Sequence, residues 1–185
     1  MKELSLNILD ITENSVKAEA TRVEILLEEN DEWLKIVIKD NGSGMSKEVL
    51  QNVQNPFYTT RTTRKVGMGI PLFKMAAELC GGTFGITSTS KTENPCAHGT
   101  VVTANFNKKH IDYTPLGDII STLTTLIFAH CQKCEFLFKH NFGEKTVELD
   151  TEKLKEVLED VPLNSFEVIS WIKEYLKEQY SIFYK

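Results

Sequence analysis

Apolar residues recur along this chain with two different periods, and the switches between them mark out the elements. Over residues 2–18, Leu4, Ile8, Leu9, Ile11 and Val16 fall at helical spacing and predict a first helix with those side chains facing a core. Two runs then alternate with period two. Val23, Ile25 and Leu27 share one face, Leu34, Ile36 and Ile38 share another, and Asn30-Asp31-Glu32 between them supplies a hairpin turn. DNGSGM (residues 40–45) follows the second strand directly, and a short helix is expected near Ser46. Residues 55–66, NPFYTTRTTRKV, mix Pro, Thr and basic side chains without a period, the pattern of a mobile loop. Gly69–Cys80 reads as a helix that opens at a glycine-rich turn and stops at Gly81-Gly82; Thr83–Ser88 and Thr100–Phe106 read as two further strands. This order predicts an α+β fold, a two-layer α/β sandwich with helices on one face of a mixed, largely antiparallel sheet.

The texture changes near residue 108, so residues 1–107 are expected to form one domain and 108–185 a small α/β C-terminal extension. In the extension, Thr114 and Pro115 predict a helix start, followed by Ile119, Ile120, Leu123, Leu126 and Ile127 at helical spacing. Phe136 and Phe138, a turn at Asn141–Gly143, and Val147 and Leu149 predict a hairpin. Leu154, Val157 and Leu158 mark a short helix. Asn164 with Glu167 predicts the start of a last helix, whose stripe is Val168, Ile169, Ile172, Tyr175 and Leu176. The role of this tail is not legible in these patterns.

Composition narrows the class. With 41% hydrophobic and 25% charged residues among 185, the chain is that of a globular protein. A net charge of -5 gives no electrostatic reason to expect nucleic acid or an anionic membrane as partner. No apolar run reaches the roughly 18 residues that span a bilayer. MKELSLNILD lacks the apolar core of a signal peptide, so a cytoplasmic protein is expected. Of four cysteines, Cys80 and Cys96 stand alone. His130, Cys131 and Cys134 offer three neighbouring ligands, whereas a structural zinc site usually needs four. Reduced cysteines at a helix end are the plainer reading, with a redox or metal role as the alternative.

Phosphate-binding chemistry has several sequence forms, and the GxxxxGK[ST] loop is absent. Three glycine motifs follow an Asn-bearing helix instead. LNILDITENSVKAEATRVEI, DNGSGM, NPFYTT…KVGMGIPLFKMAAELCGG and HGTVV resemble, in order, the N, G1, F/G2 and G3 boxes of the GHKL ATPase superfamily, which has the Bergerat ATP-binding fold. The resemblance covers roughly residues 3–106.

The resemblance implies a site for ATP and Mg²⁺. Asn7, Asp10, Asn14 and Lys17 lie three or four apart, so one helix face carries them together. Asn14 matches the Asn that ligates Mg²⁺ through its carbonyl oxygen. Asp40 matches the carboxylate that accepts from the adenine amino group, and Gly42 and Gly44 let the backbone approach the base. Gly67 and Gly69 free the backbone to face phosphate at a helix start. Thr100 stands on the adenine side. Arg61, Arg64 and Lys65 fall in a presumed lid, where charge can meet the γ-phosphate. Met45, Phe57, Met68 and Ile70 complete the implied nucleotide contacts.

Two positions separate subfamilies. Members that hydrolyse ATP carry Glu four residues before the N-box Asn as general base; here Asp10 stands there, about one bond shorter. A misplacement on the order of 1 Å can cost about 100-fold, so fast hydrolysis is not expected. Lys17 resembles the Lys of histidine kinases, as does NPFYTT…GMGI, while ENS…ATRVEI resembles MutL. Asp10 and Lys17 are thus the candidate catalytic residues. His98, His110, His130 and His140 lie in no H-box context, and the chain starts within the N-box region. His130 and His140 read as surface or packing residues. The implied function is an ATP-binding signalling protein that phosphorylates a partner protein in trans, as anti-sigma serine kinases of this superfamily do. The alternatives are an ATP-dependent switch with little turnover and, more weakly, a DNA-repair-type ATPase. The tail could dock a partner or form a homodimer.

Overall fold

The computed structural model describes residues 3–53 and 69–183. In chain order the elements are α1 (Leu4–Lys17), β1 (Arg22–Glu29), β2 (Trp33–Asp40), α2 (Lys47–Asn52), α3 (Gly69–Leu79), β3 (Thr83–Thr89) and β4 (Gly99–Asn107). They continue as α4 (Ile119–His130), β5 (Glu135–Phe142), β6 (Lys145–Asp150), α5 (Thr151–Leu158) and α6 (Phe166–Phe183). The loop expected over residues 55–66 lies outside the described residues, as do Phe57, Arg61, Arg64, Lys65, Gly67 and Met68.

One six-stranded sheet runs in the order β3-β4-β2-β1-β5-β6. The period-two alternation explains it. Val23, Ile25 and Leu27 of β1, Leu34, Ile36 and Ile38 of β2, and Val102, Ala104 and Phe106 of β4 all turn to one face and are buried. The register Ile25↔Ile38 and Ile36↔Ala104 stacks these side chains across neighbouring strands. The other face carries ion pairs such as Lys35–Glu28 and Lys39–Glu24. Against the apolar face lie α1, α3, α4 and α6, whose Leu4, Ile8, Phe73, Leu123, Ile172 and Leu176 are buried in the same core. Phe73 meets Phe106 at 5.4 Å between ring centres and Phe84 at 6.3 Å, edge-on, fixing α3 over β3 and β4.

The sheet does not stop at residue 107. β5 pairs with β1 in parallel, Val23↔Phe136 to Glu29↔Phe142, so the hairpin expected in the tail extends the same sheet and makes it mixed. Among the described residues every pairing other than β1–β5 is antiparallel.

Three local expectations need correction. The helix anticipated at Thr114-Pro115 begins at Ile119, with Asp118 capping it through Ser121 N at 2.8 Å. Residues 115 and 116 close a different helix: α1 has no side-chain cap, and Leu4 N and Ser5 N donate to Pro115 O at 2.9 Å and Leu116 O at 2.8 Å. The last helix starts at Phe166, and Ser165 rather than Asn164 accepts from Val168 N. In α5, Val157 is exposed while Leu154 and Leu158 pack on the core. Among the described residues no helix is long and apolar enough to cross a membrane.

Candidate functional site

The C-terminal end of β2, the C-terminal half of α1 and the start of β4 meet at one end of the sheet. Asp40 is the junction. Its Oδ2 accepts from Ser15 Oγ at 2.6 Å, and its Oδ1 accepts from Gly42 N at 2.9 Å and Thr100 N at 3.2 Å. Three donors from α1, the β2 turn and β4 thus hold one half-buried carboxylate in a fixed attitude. Among the described residues Oδ2 takes a single bond and keeps a lone-pair direction for one further N–H donor.

The turn that follows is pinned from several sides. Asn41 Oδ1 accepts from Thr21 N and Arg22 N, both at 2.9 Å, and Ser43 N donates to Ala18 O at 2.7 Å. Gly44 has φ +65, and a Cβ there would lie 1.9 Å from Thr89 O. Only glycine fits this turn against the end of β3. Gly99 faces the same restriction, with φ +133 and a Cβ position 2.0 Å from Asp40 O. Ser88 Oγ lies 3.0 Å from Gly99 O, accepts from Met45 N at 2.8 Å and sits 2.9 Å from Thr100 Oγ1. A hydroxyl has one hydrogen, so when Ser88 donates to the carbonyl, Thr100 donates to Ser88. His98 Nδ1 is 2.5 Å from Gly42 O, which requires the proton on Nδ1. Asp40, Ser88, His98, Gly99 and Thr100 line a shallow cavity of about 220 Å³ at this end.

On α1, Asn7, Asp10, Asn14 and Lys17 span an arc of about 80° at 100° per residue. Asp10 and Lys17 are exposed, and Asn14 is partly buried. Asn7 is 1% exposed, and among the described residues neither its Oδ1 nor its Nδ2 has a hydrogen-bond partner. It lies below the exposed part of this face. The first residue of α3 presses on the same face: a Cβ at Gly69 would stand 3.2 Å from Asp10 Cβ and 3.7 Å from Asn14 Nδ2. Ile70 is buried in the core beside it. The structure therefore brings Asp10, Asn14 and Gly69 together, and separately Asp40, Gly42, Gly44, Met45 and Thr100. Ser15, on α1, links the two groups.

Lys17 Nζ lies 3.5 Å from Glu13 Oε2, and the other Glu13 oxygen is 2.6 Å from His130 Nε2. Burial pushes the Glu13 carboxyl up, but the His130 hydrogen bond and charge, together with Lys17, outweigh it and hold it below its ordinary value. His140, at the opposite end of the sheet, is fully buried; Nε2 meets Glu29 Oε2 at 2.8 Å and Nδ1 meets Tyr180 Oη at 2.9 Å. Cys131 and Cys134 are free and buried. Burial, with the charges of Glu135 and Asp40, pushes the Cys134 thiol up to about 11, and burial likewise raises Cys131. Among the described residues no group of three or more His, Cys, Asp or Glu could hold a metal ion.

Sequence reading missed Ser15, Ser88 and the His98 contact. Ser15 carried a signal: it sits four after Ile11 and seven after Ile8, a hydroxyl inside the apolar stripe of α1. Ser88 and His98 carried none, because their partners are remote in sequence.

Residues 2–110 match the family described as histidine kinase-, DNA gyrase B-, and HSP90-like ATPase. The sensor histidine kinase YvrG of Bacillus subtilis is 29% identical over 102 residues, 52% of this chain and 17% of that one. The tetrathionate sensor histidine kinase TtrS of Salmonella typhimurium is 32% identical over 99 residues, 54% of this chain and 16% of that one. This chain thus spans less than a fifth of the length of either kinase. Among solved structures, the Aquifex aeolicus MutL ATPase domain complexed with ADP superposes with a TM-score of 0.54 at 15% identity, covering 85% of this chain and 69% of that chain. The N-terminal domain of a DNA repair protein gives the same TM-score at 16% identity, covering 81% of this chain and 53% of that chain. These likenesses concern the fold. Covering more than four fifths of the chain, the shared fold extends beyond residues 2–110.

Proposed function

From its membership of the histidine kinase-, DNA gyrase B- and HSP90-like ATPase family, to which this chain belongs, we propose that it binds Mg·ATP and transfers phosphate in trans to a partner protein in a signalling pathway. The observation that carries the nucleotide assignment is the Asp40 carboxylate, fixed by Ser15, Gly42 and Thr100 with one acceptor direction left. An adenine amino group is an N–H donor suited to that direction. The Thr100 hydroxyl, with its proton committed to Ser88, offers acceptor lone pairs beside it, to the base or to a bridging water.

The chemistry at the phosphate end follows from α1 and α3. The N-terminus of α3, pressed on Asp10 and Asn14 at Gly69, presents N–H groups and a favourable dipole to an anion. The Asn14 side-chain carbonyl is the oxygen that would hold Mg²⁺, which would supply positive charge to neutralise the phosphates. Lys17, exposed on the same face, adds a cation for the phosphates. The resemblance of their motifs supports a contact of Phe57, Arg61, Lys65, Gly67 and Met68 with the same nucleotide.

Transfer rather than hydrolysis is supported by Asp10. Its carboxylate is shorter than the Glu of hydrolysing relatives, whereas phosphoryl transfer to a protein side chain rests on positioning and electrostatics more than on a base for water. None of the four histidines, His98, His110, His130 and His140, lies in an H-box context, which supports transfer to another molecule.

The deciding experiment incubates the purified chain with γ-labelled ATP and a cell extract. Label on another protein is the expected result. Label released only as free phosphate would replace transfer with hydrolysis, and binding without movement of label would make the chain an ATP-dependent switch.

A further inference from the structure

We propose that His130, at the end of α4, is a positioning residue for Lys17 and acts through Glu13. This rests on the reading above, in which Lys17 faces the phosphates.

Glu13 precedes Asn14 and follows Asp10 by three residues, yet it lies on the flank of α1 that turns toward α4. Its two oxygens are divided. Oε1 is 2.6 Å from His130 Nε2, and Oε2 is 3.5 Å from Lys17 Nζ. The first contact is a close hydrogen bond, and the second is an ordinary ion pair without a close hydrogen bond. The side chains are 21% exposed for His130, 30% for Glu13 and 58% for Lys17, so the carboxylate is drawn toward the more buried partner while the ammonium stays at the surface.

His130 is held in place by its own backbone. Its carbonyl accepts from Lys133 N at 2.9 Å and Cys134 N at 3.0 Å, closing the end of α4. Lys155 Nζ donates to the adjoining Cys131 O at 2.6 Å and also pairs with Glu135, tying the same corner to α5. Farther up, Thr122 Oγ1 donates to Ser5 O at 3.3 Å, keeping α4 alongside α1. The imidazole thus comes from a rigid element and sets where the Glu13 carboxylate rests.

The consequence is electrostatic. Glu13 and Lys17 stand four apart on one helix, the spacing at which Glu and Lys close into a pair. Without His130 the carboxylate is released to close further on Lys17, which masks the cation from the phosphates. With His130 in place, Lys17 keeps its reach. Residues 108–185 thereby contribute to the nucleotide site without touching nucleotide.

The test is calorimetric titration of Mg·ATP into the full chain, with thermal unfolding of each variant measured alongside. His130→Ala should weaken ATP binding by about three- to fivefold, the range of a partly exposed charge pair. Glu13→Gln introduced into that variant should return affinity to within about twofold of the parent chain, because no carboxylate remains to capture Lys17. In a Lys17→Ala background, His130→Ala should have no further effect. His130→Lys, which keeps an N–H donor facing Glu13, should stay near the parent affinity. Unchanged affinity in a folded His130→Ala chain overturns the proposal, and so does a loss that Glu13→Gln fails to restore, which would make His130 a purely structural contact. A parent chain that binds no ATP would instead remove the functional reading on which the proposal stands.

Discussion

The Ser15 hydroxyl donates to Asp40 Oδ2 across 2.6 Å, joining the buried stripe of α1 to the last residue of β2. This bond and the two backbone donors on Oδ1 orient the carboxylate before any ligand arrives. Asp40→Asn should therefore weaken ATP binding by about 1.5–3 kcal/mol, the scale of a hydrogen bond to a charged group. Ser15→Ala should weaken it less, by about 0.5–1.5 kcal/mol, since two donors still hold the carboxylate. Calorimetry on the folded variants measures both, and an Asp40→Asn chain with parent affinity would remove Asp40 from the site.

Asn14 is expected to act through the metal. Asn14→Ala should sharply reduce Mg²⁺-dependent ATP binding and leave the weaker metal-free binding largely intact. Paired titrations with Mg²⁺ and with a chelator separate the two contributions. Equal losses in both would assign Asn14 to holding the fold.

Asp10 is expected to limit how fast the protein hydrolyses ATP alone. A base must come within hydrogen-bond reach of the attacking water, and the shorter carboxylate leaves that water misaligned. Basal turnover should lie well below the median enzyme rate of about 10 per second. Asp10→Glu should raise it by restoring reach, and Asp10→Ala should change it little. Steady-state phosphate release from the three forms is the measurement; rapid turnover abolished by Asp10→Ala would show a competent base and withdraw the main support for transfer in trans.

At the far end of the sheet, Glu29 accepts from the buried His140 and from Lys108. Burial pushes the Glu29 carboxyl up, but those two donors and their charges outweigh it, so its pKa in the fold lies below the ordinary 4.5. A carboxyl lowered on folding contributes stability that is complete above its unfolded pKa and is lost as pH falls through its folded pKa. Glu29→Gln should thus lower stability at neutral pH and flatten the acid limb of the profile. His140→Ala should cost about 1–3 kcal/mol by leaving buried polar groups without their partner. Urea unfolding at about pH 7 and about pH 3.5 reads both effects. An acid limb unchanged in Glu29→Gln would show that other carboxylates set it.

Much of the fold was determined by the sequence alone, because it is written in local periods. The alternations at Val23–Leu27 and Leu34–Ile38 placed β1 and β2 and their buried face, and the three- and four-residue spacing put Asp10, Asn14 and Lys17 on one side of α1. The motif order identified the superfamily. Only the tertiary structure decided how distant segments complete one another. A strand reads the same whether it pairs within a separate extension or adds in parallel to β1, as β5 does, since alternation records a buried face and not the neighbour. Thr114-Pro115 carries a helix-start signal, yet residues 115 and 116 close the open N–H groups of α1, a demand visible only once the two segments meet. The bonds from Ser15 to Asp40 and from His130 to Glu13 span 25 and 117 residues. No local pattern encodes such partners. They exist because packing the helices on the sheet brings those polar atoms within reach, where being left unpaired would cost free energy.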